Sequence, residues 1–266
     1  FSGNSSHSGG GICNASGSLA ISESAFLGNS ATVGAGGGIW SPAGPVTIAE
    51  STFEANSAAE SGGGVHIDSD STLEITNSSL QENSALTAGG AIYSAGTLAF
   101  TNSSAGLNTA GGSEMNGNGG GIYIQSAAAT LTNSSLWRNA ARYGGGIYGN
   151  AATIALANCA LVGNVAGSSG GGIQTGGGEL AVMNSTISGN TAASGGGIGG
   201  GGATLLNSIV ALNGTEDVAL GGPLSAESGC NLIGIDPEFV RDPGTNGEDD
   251  LGDLRPAPLS LAIDAG

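Results

Sequence analysis

The sequence contains no lysine, and four arginines face 21 aspartates and glutamates, which gives a formal net charge of −17. Binding to a nucleic-acid backbone requires a basic face that neutralises phosphates. Anionic lipid surfaces likewise attract basic segments rather than acidic ones. The composition therefore excludes nucleic acid as a partner and argues against a role on membrane surfaces.

Aromatic residues, cysteines and long apolar runs are also scarce. Aromatics make up 4% of the chain, and Cys13, Cys159 and Cys230 lack the spacing of a zinc site. We expect these cysteines to be small buried or incidental thiols, with one disulfide left open for an extracellular protein. No apolar run is long enough to span a bilayer, so membrane insertion is not expected.

Glycine is abundant instead, with 53 of 266 residues, and short glycine runs recur along the chain. Each run ends in a branched aliphatic residue, and the copies lie at Gly9–Ile12, Gly36–Ile39, Gly62–Val65, Gly89–Ile92, Gly119–Ile122, Gly144–Ile147, Gly170–Ile173 and Gly195–Ile198. Successive aliphatic ends are 27, 26, 27, 30, 25, 26 and 25 residues apart. Internal repeats of this length are typical of solenoid proteins.

A second signal lies between the glycine runs: an apolar residue, two variable positions and an asparagine. Its copies end at Asn29, Asn56, Asn83, Asn108, Asn139, Asn164, Asn190 and Asn213. The glycine runs and the β-branched alternation leave no stretch with helical periodicity, which argues against a helical solenoid. We therefore predict an all-β fold, a right-handed parallel β-helix of about eight rungs with 25–27 residues in each.

Alternation within each repeat predicts the inward side chains. One predicted inward stack is Leu19, Val46, Leu73, Leu98, Ile154 and Leu180, and the next contains Ile21, Ile48, Ile75, Phe100, Leu131, Leu156, Val182 and Leu205. The same count places a second asparagine column inside the coil, at Asn77, Asn102, Asn133, Asn158, Asn184 and Asn207. Like side chains at the strand spacing can hydrogen-bond from rung to rung, so we interpret both asparagine columns as structural ladders. Asparagine also tolerates the left-handed backbone of a sharp corner.

The pairing of Phe26-x-x-Asn29 with Gly-Gly-Ala-Ile at 89–92 resembles the FxxN and GGA[ILV] repeats of chlamydial polymorphic outer-membrane proteins. The resemblance covers residues 1–213. The stretches "GCNLIG", "DPEFV" and "LSLAIDAG" further on are similar to the closing segment of bacterial surface-anchored β-helix proteins. These resemblances imply a secreted or surface-exposed protein, and the chlamydial relatives are adhesins. We expect two parts: the repeat array in 1–213, and an acidic, loop-rich segment in 214–266 that packs on the β-helix or caps it.

One column suggests a binding surface. The residue that follows the inward aliphatic of each glycine run should point outward, and on five consecutive rungs it is Trp40, His66, Tyr93, Tyr123 and Tyr148. We predict an exposed aromatic strip there, suited to sugar rings or a cell-surface partner, with cross-rung stacking as the alternative.

The acidic segment offers a candidate calcium site. Residues 214–266 contain 11 of the 21 acids, and Asp242, Asn246, Glu248, Asp249, Asp250 and Asp253 supply the oxygen ligands that Ca²⁺ prefers, although their spacing is not that of an EF-hand. We expect no cofactor to be required. Candidate glycosylation sequons begin at Asn4, Asn14 and Asn213, whereas those at Asn77, Asn102, Asn133 and Asn184 should be inaccessible inside the coil.

An enzyme acting on polysaccharides is the main alternative, because parallel β-helices often have that activity. Asp68 and Asp70 are the only aspartates in the repeats, too few for clustered catalytic carboxylates. The histidines His7 and His66 have no partner pattern for general-base chemistry. We therefore expect a non-catalytic structural or adhesive protein, a surface rod that self-associates end to end into a filament or laterally, or binds a glycan.

Overall fold

The protein is a parallel β-helix in a computed structural model that describes residues 1–112, 116–237, 239–241 and 253–256. The predicted all-β fold is confirmed: the described residues contain no α-helix, and three parallel sheets form the wall of a coil. The coil has about nine turns, one more than expected. No helix in the described part of the chain has the length and apolar character needed to cross a membrane.

The first sheet has 15 strands and contributes two segments to most rungs, which merge into one long strand on two rungs. Its strands are Ile12–Cys13, Leu19–Ser22, Ile39–Ala49, Val65–Thr76, Ile92–Ser94, Thr97–Thr101, Ile122–Gln125, Ala128–Thr132, Ile147–Asn150, Ala152–Ala157, Ile173–Thr175, Gly178–Met183, Ile198–Gly200, Thr204–Leu206 and Val218–Leu220.

The second sheet has nine strands, one for each rung, and is formed by the apolar-x-x-Asn signal. Its strands are Ala25–Leu27, Thr52–Glu54, Ser79–Gln81, Ser104–Gly106, Ser135–Trp137, Ala160–Val162, Thr186–Ser188, Ile209–Ala211 and Leu232–Ile233.

The third sheet has seven short strands, which follow the motif asparagine: Ser5–Ser6, Ser30–Ala31, Ser57–Ala58, Ser84–Ala85, Thr109–Ala110, Ala140–Tyr143 and Val165–Ser169. Strands Val218–Leu220 and Leu232–Ile233 pair with the preceding rung, so the coil continues past residue 213. Phe239–Arg241 and Asp253–Pro256 pair separately as an antiparallel ribbon. A capping role for the 214–266 segment stays a prediction.

The core is a column of like side chains in each sheet. Inward residues of the second sheet are fully buried except Ile233 on the last strand, and the rings of Phe26 and Phe53 stack with centroids 4.5 Å apart. The predicted aliphatic stacks of the first sheet are buried as well, except Leu19, which is half-buried on the first complete rung. Stacking equal shapes at the strand spacing lets each rung bury the apolar face of its neighbour, which an isolated rung cannot do.

Candidate functional site

The inner asparagine ladder links the second and third sheets. Asn29, Asn56, Asn83, Asn108, Asn139, Asn164, Asn190 and Asn213 are all buried. Asn139 shows the pattern: its backbone N–H and its Nδ2 both donate to Oδ1 of Asn164, at 3.0 and 2.9 Å, and Nδ2 also donates to the carbonyl of Ala105. The left-handed residue at this corner is the one before the asparagine, such as Leu107 or Arg138, so these asparagines serve through their amides rather than their backbone.

The second asparagine column lies on the outer face of the coil, so the prediction that it lies inside is wrong. Asn77, Asn102, Asn133, Asn158, Asn184 and Asn207 are exposed, with φ between 46° and 55°. The left-handed backbone interrupts the in–out alternation of the strand, so the side chain turns outward and the next residue turns in. Buried Ser78 occupies that inner place, where its hydroxyl donates to the carbonyl of Thr76 and accepts from the N–H of Ser51.

Five of these exposed asparagines, all but Asn207, line a groove between the first and second sheets. It is a shallow, open groove with a volume of about 970 Å³ that follows the coil over six rungs. Its lining residues are Glu50, Ser51, Thr52, Asn77, Ser78, Ser79, Asn102, Ser103, Ser104, Asn133, Ser134, Ser135, Asn158, Cys159, Ala160 and Asn184. Neighbouring amides are joined across rungs: Asn158 donates to Asn133 at 3.0 Å, and Asn133 donates to Asn102 at 3.1 Å. Glu50 is the only ionisable carboxylate in this lining, although the whole chain is strongly acidic.

The aromatic column exists, but it is not an exposed strip. Trp40, His66, Tyr93, Tyr123 and Tyr148 are in register on consecutive rungs. His66 and Tyr123 are only 7% and 8% exposed, and the other three are half-buried. The rings cover one another: His66 and Tyr93 stack at 4.5 Å, Tyr93 and Tyr123 at 5.2 Å, and Tyr123 and Tyr148 at 5.3 Å. Burial raises the pKa values of Tyr93 and Tyr123. Cross-rung stacking, which we kept as the alternative, is therefore what the geometry supports.

His66 has the hydrogen-bond partners that the sequence analysis did not find. Ser61 Oγ lies 2.9 Å from Nδ1, and Asp68 Oδ1 lies 3.1 Å from Nε2. Because a carboxylate only accepts, Nε2 carries the proton and Nδ1 accepts from the serine. Residues two apart on a strand share a face, so the His-x-Asp spacing could have indicated the pair. The left-handed turn at Gly62 brings Ser61 back against His66, five residues later in the sequence.

The hydrogen-bonded residues Ser61, His66 and Asp68 are of the types found in a hydrolytic triad, but the serine is not accessible to a substrate. Ser61 is 8% exposed. The N–H groups of Gly62, Gly63 and Gly64 beside it donate to the next rung, so these three N–H groups are not free to form an oxyanion site. We interpret these three residues as a structural anchor for the aromatic stack.

His66 makes stability sensitive to mild acid. Burial lowers its pKa below the usual 6.5, against the opposing pull of Asp68. As the pH falls, His66 is therefore protonated in the unfolded chain before it is protonated in the folded one. The stability that depends on neutral His66 is lost as the pH falls from 6.5 to the pKa of His66 in the folded protein. We expect His66→Gln to lose less unfolding free energy than the wild type between about pH 7.5 and about pH 5, because Gln174 already occupies this column without titrating. Urea titrations at both pH values measure the difference. Equal losses in the two proteins would contradict it.

The remaining predicted sites have mixed outcomes. Asn4 is exposed, and Asn14 is half-buried, with its amide bonded to Gly17 and Ser41. Glycosylation at Asn213 was wrongly predicted, because its amide is buried and bonded to Ile187 and Asp217, whereas the sequons at Asn77, Asn102, Asn133 and Asn184 are exposed.

The three cysteines are free thiols; Cys159 is buried, which raises its pKa.

The candidate calcium ligands cannot be placed. Asp242, Asn246, Glu248, Asp249, Asp250 and the side chain of Asp253 lie outside the described residues. Within the described ranges, histidine, cysteine, aspartate and glutamate side chains do not gather in groups of three that could hold a metal ion.

The apolar-x-x-Asn strand, its left-handed corner and the glycine run that closes the rung form one structural unit. Residues 77–95 contain one such unit, with Leu80, Asn83 and Gly89–Ile92 in their places. These residues match the Chlamydia polymorphic membrane protein repeat. The match confirms that the coil resembles this repeat family over at least one rung. Searches of curated proteins and of solved structures found no match to the chain.

Proposed function

We propose that this protein is a non-catalytic, surface-exposed β-helix rod with an adhesive role. The resemblance to a repeat of Chlamydia polymorphic membrane proteins supports the surface location. The groove supports the adhesive role, because it offers exposed amides or hydroxyls on six consecutive rungs. Regularly spaced amides and hydroxyls suit an extended, repetitive ligand better than a compact one.

The near-neutral lining of the groove favours binding over catalysis. Hydrolysis of a glycosidic bond needs a pair of carboxyl groups across the scissile bond, and Glu50 has no second carboxylate in this lining. The enzyme alternative predicts release of reducing sugars or of unsaturated uronates from a polysaccharide panel. Release of either product would overturn the non-catalytic part of the proposal.

The adhesive role is tested by blocking the groove. Ser79 and Ser135 are half-exposed on its edge, so the double variant Ser79→Arg/Ser135→Arg fills the recess without entering the core. We expect beads coated with this variant to bind epithelial cells about tenfold less than wild-type beads, because the two long side chains occupy the space that a ligand would fill. The matched control is Thr130→Arg, an exposed outward position on the first sheet, which should bind like the wild type. Equal binding by all three proteins would contradict the role of the groove.

Head-to-tail assembly is the second part of the proposal. Successive rungs keep an almost unbroken parallel register, which a second copy could continue through strand edges. Negative-stain microscopy of purified protein tests it, because only assembly predicts fibres.

A further inference from the structure

The outward column of the second sheet contains one tryptophan and one glycine, and the two are adjacent. From rung to rung the column runs Leu27, Glu54, Gln81, Gly106, Trp137, Val162, Ser188 and Ala211. A Cβ atom on Gly106 would lie 2.1 Å from Cε2, 2.4 Å from Cζ2 and 2.6 Å from Cδ2 of Trp137. The middle of the indole therefore covers Gly106, in space that any other residue would fill.

This packing lays the indole across the surface. One ring face rests on the backbone at Gly106, which it buries, while Trp137 itself remains half-exposed. A tryptophan that served only the core would point inward, but the inward place on this strand belongs to Leu136, which is fully buried. A half-exposed indole supported from below by a glycine is a platform on which a flat, partly apolar ligand can stack.

The platform adjoins the groove. Trp137 lies two residues beyond Ser135, and Gly106 lies two residues beyond Ser104, so both serines point outward beside the indole and line the groove. The neighbouring polar groups are already oriented: Gln81 Nε2 donates to Ser79 Oγ at 2.8 Å, and Ser104 Oγ donates to the same oxygen at 3.4 Å. An aromatic face next to a line of hydroxyls and amides, with little charge, matches a neutral sugar, whose ring has an apolar face and a polar rim.

The repeat of the groove indicates the form of that sugar. Its polar groups recur at the strand spacing of roughly 4.8 Å. A linear β-1,4-linked hexose chain advances by close to this distance with each sugar and turns successive sugars over, so each sugar can lie beside one rung and alternate sugars can meet equivalent groups. We propose that Trp137, seated on Gly106, is the stacking platform of a binding site for a neutral, linear, β-linked glycan that continues along the groove. This site rests on the adhesive function proposed above and assigns its ligand class.

Intrinsic fluorescence tests the platform directly, because the chain has only two tryptophans. In a Trp40→Phe background, cellohexaose or chitohexaose is expected to change the Trp137 emission saturably. By calorimetry in the wild-type background, Trp137→Ala should weaken binding of the same probe about tenfold, the effect of losing one aromatic stacking contact. Gly106→Val should weaken it similarly although the tryptophan is retained, because the new side chain lifts the ring. Trp40→Ala, which removes a tryptophan from another face, should bind like the wild type.

The outcomes separate this site from the adhesive function. Absence of saturable binding, or binding that Trp137→Ala and Gly106→Val leave unchanged in proteins with wild-type circular dichroism and melting temperature, overturns the glycan site. If the glycan site fails while Ser79→Arg/Ser135→Arg still loses cell binding, the groove is adhesive for another kind of ligand. If the glycan binds at Trp137 but coated beads do not bind cells, the adhesive function fails and the site stands.

Discussion

Gly120→Ala is expected to unfold the coil around the fifth rung, with a loss of unfolding free energy on the order of 4 kcal/mol or more. Gly120 is the middle glycine of its run, and a Cβ there would lie 2.5 Å from the carbonyl oxygen of Gly145 and 2.6 Å from the N and O atoms of Ala140. All three are backbone atoms, so the clash can be relieved only by moving the main chain of the coil. Guanidinium unfolding followed by circular dichroism measures the loss.

The chain offers a control in Gly64, the third glycine of an earlier run. A Cβ on Gly64 would also meet a backbone oxygen, that of Ala91, but at 2.8 Å, and its next contact is a leucine methyl at 3.5 Å. On the following rung this position is already an alanine, Ala91, which is fully buried. Gly64→Ala should therefore cost much less than Gly120→Ala. Similar losses for the two variants would show that the steric argument is wrong.

Asn139→Ala is expected to destabilise the protein by about 3–5 kcal/mol, the second-largest effect of a single substitution. The side chain is fully buried and has partners on both sides. Its removal leaves the N–H and Nδ2 of Asn108 without their acceptor and the carbonyl of Ala105 without its donor, in a place that water does not reach. Buried polar groups without partners cost far more than the hydrogen bond contributed.

The control for Asn139→Ala is a substitution in the exposed asparagine column, at Asn133. Asn133 is exposed with φ of 50°, a conformation that glycine adopts without strain. Asn133→Gly should change stability by less than about 1 kcal/mol, since it removes only exposed amide contacts. Thermal unfolding of both variants compares the columns, and a loss at Asn133 as large as that at Asn139 would contradict the assignment of inner and outer ladders.

The sequence was sufficient for the coil because its signals repeat in phase. Each rung buries the same residue types against its neighbours, so the alternation around Ile75 or Phe100 predicts burial without knowledge of distant contacts. It was insufficient at the corners. A single left-handed residue such as Asn77 reverses which side chains of the strand point into the core. One asparagine column is therefore buried inside the coil, and the other is exposed on its outer face.

Whether an outward side chain is available to a ligand depends on its exposure to solvent, and alternation along a strand does not predict that exposure. Tyr123 points away from the core as predicted, but the rings stacked on either side cover it. The opposite case is Trp137, whose significance comes from a glycine 31 positions earlier in the sequence and directly adjacent in register. Such pairs become visible only when the rungs are aligned column by column.

The parallel pairing of all three sheets also determines how the rod bears load. The hydrogen bonds between rungs run roughly along the coil axis, because each strand pairs with the equivalent strand of the next turn. Tension applied along the axis is therefore shared by the first two sheets and the inner asparagine bonds, and also by the third sheet as far as strand Val165–Ser169. Force on a free chain end would instead detach one strand at a time. A ligand gripped in the lengthwise groove would transmit its pull to several interfaces at once.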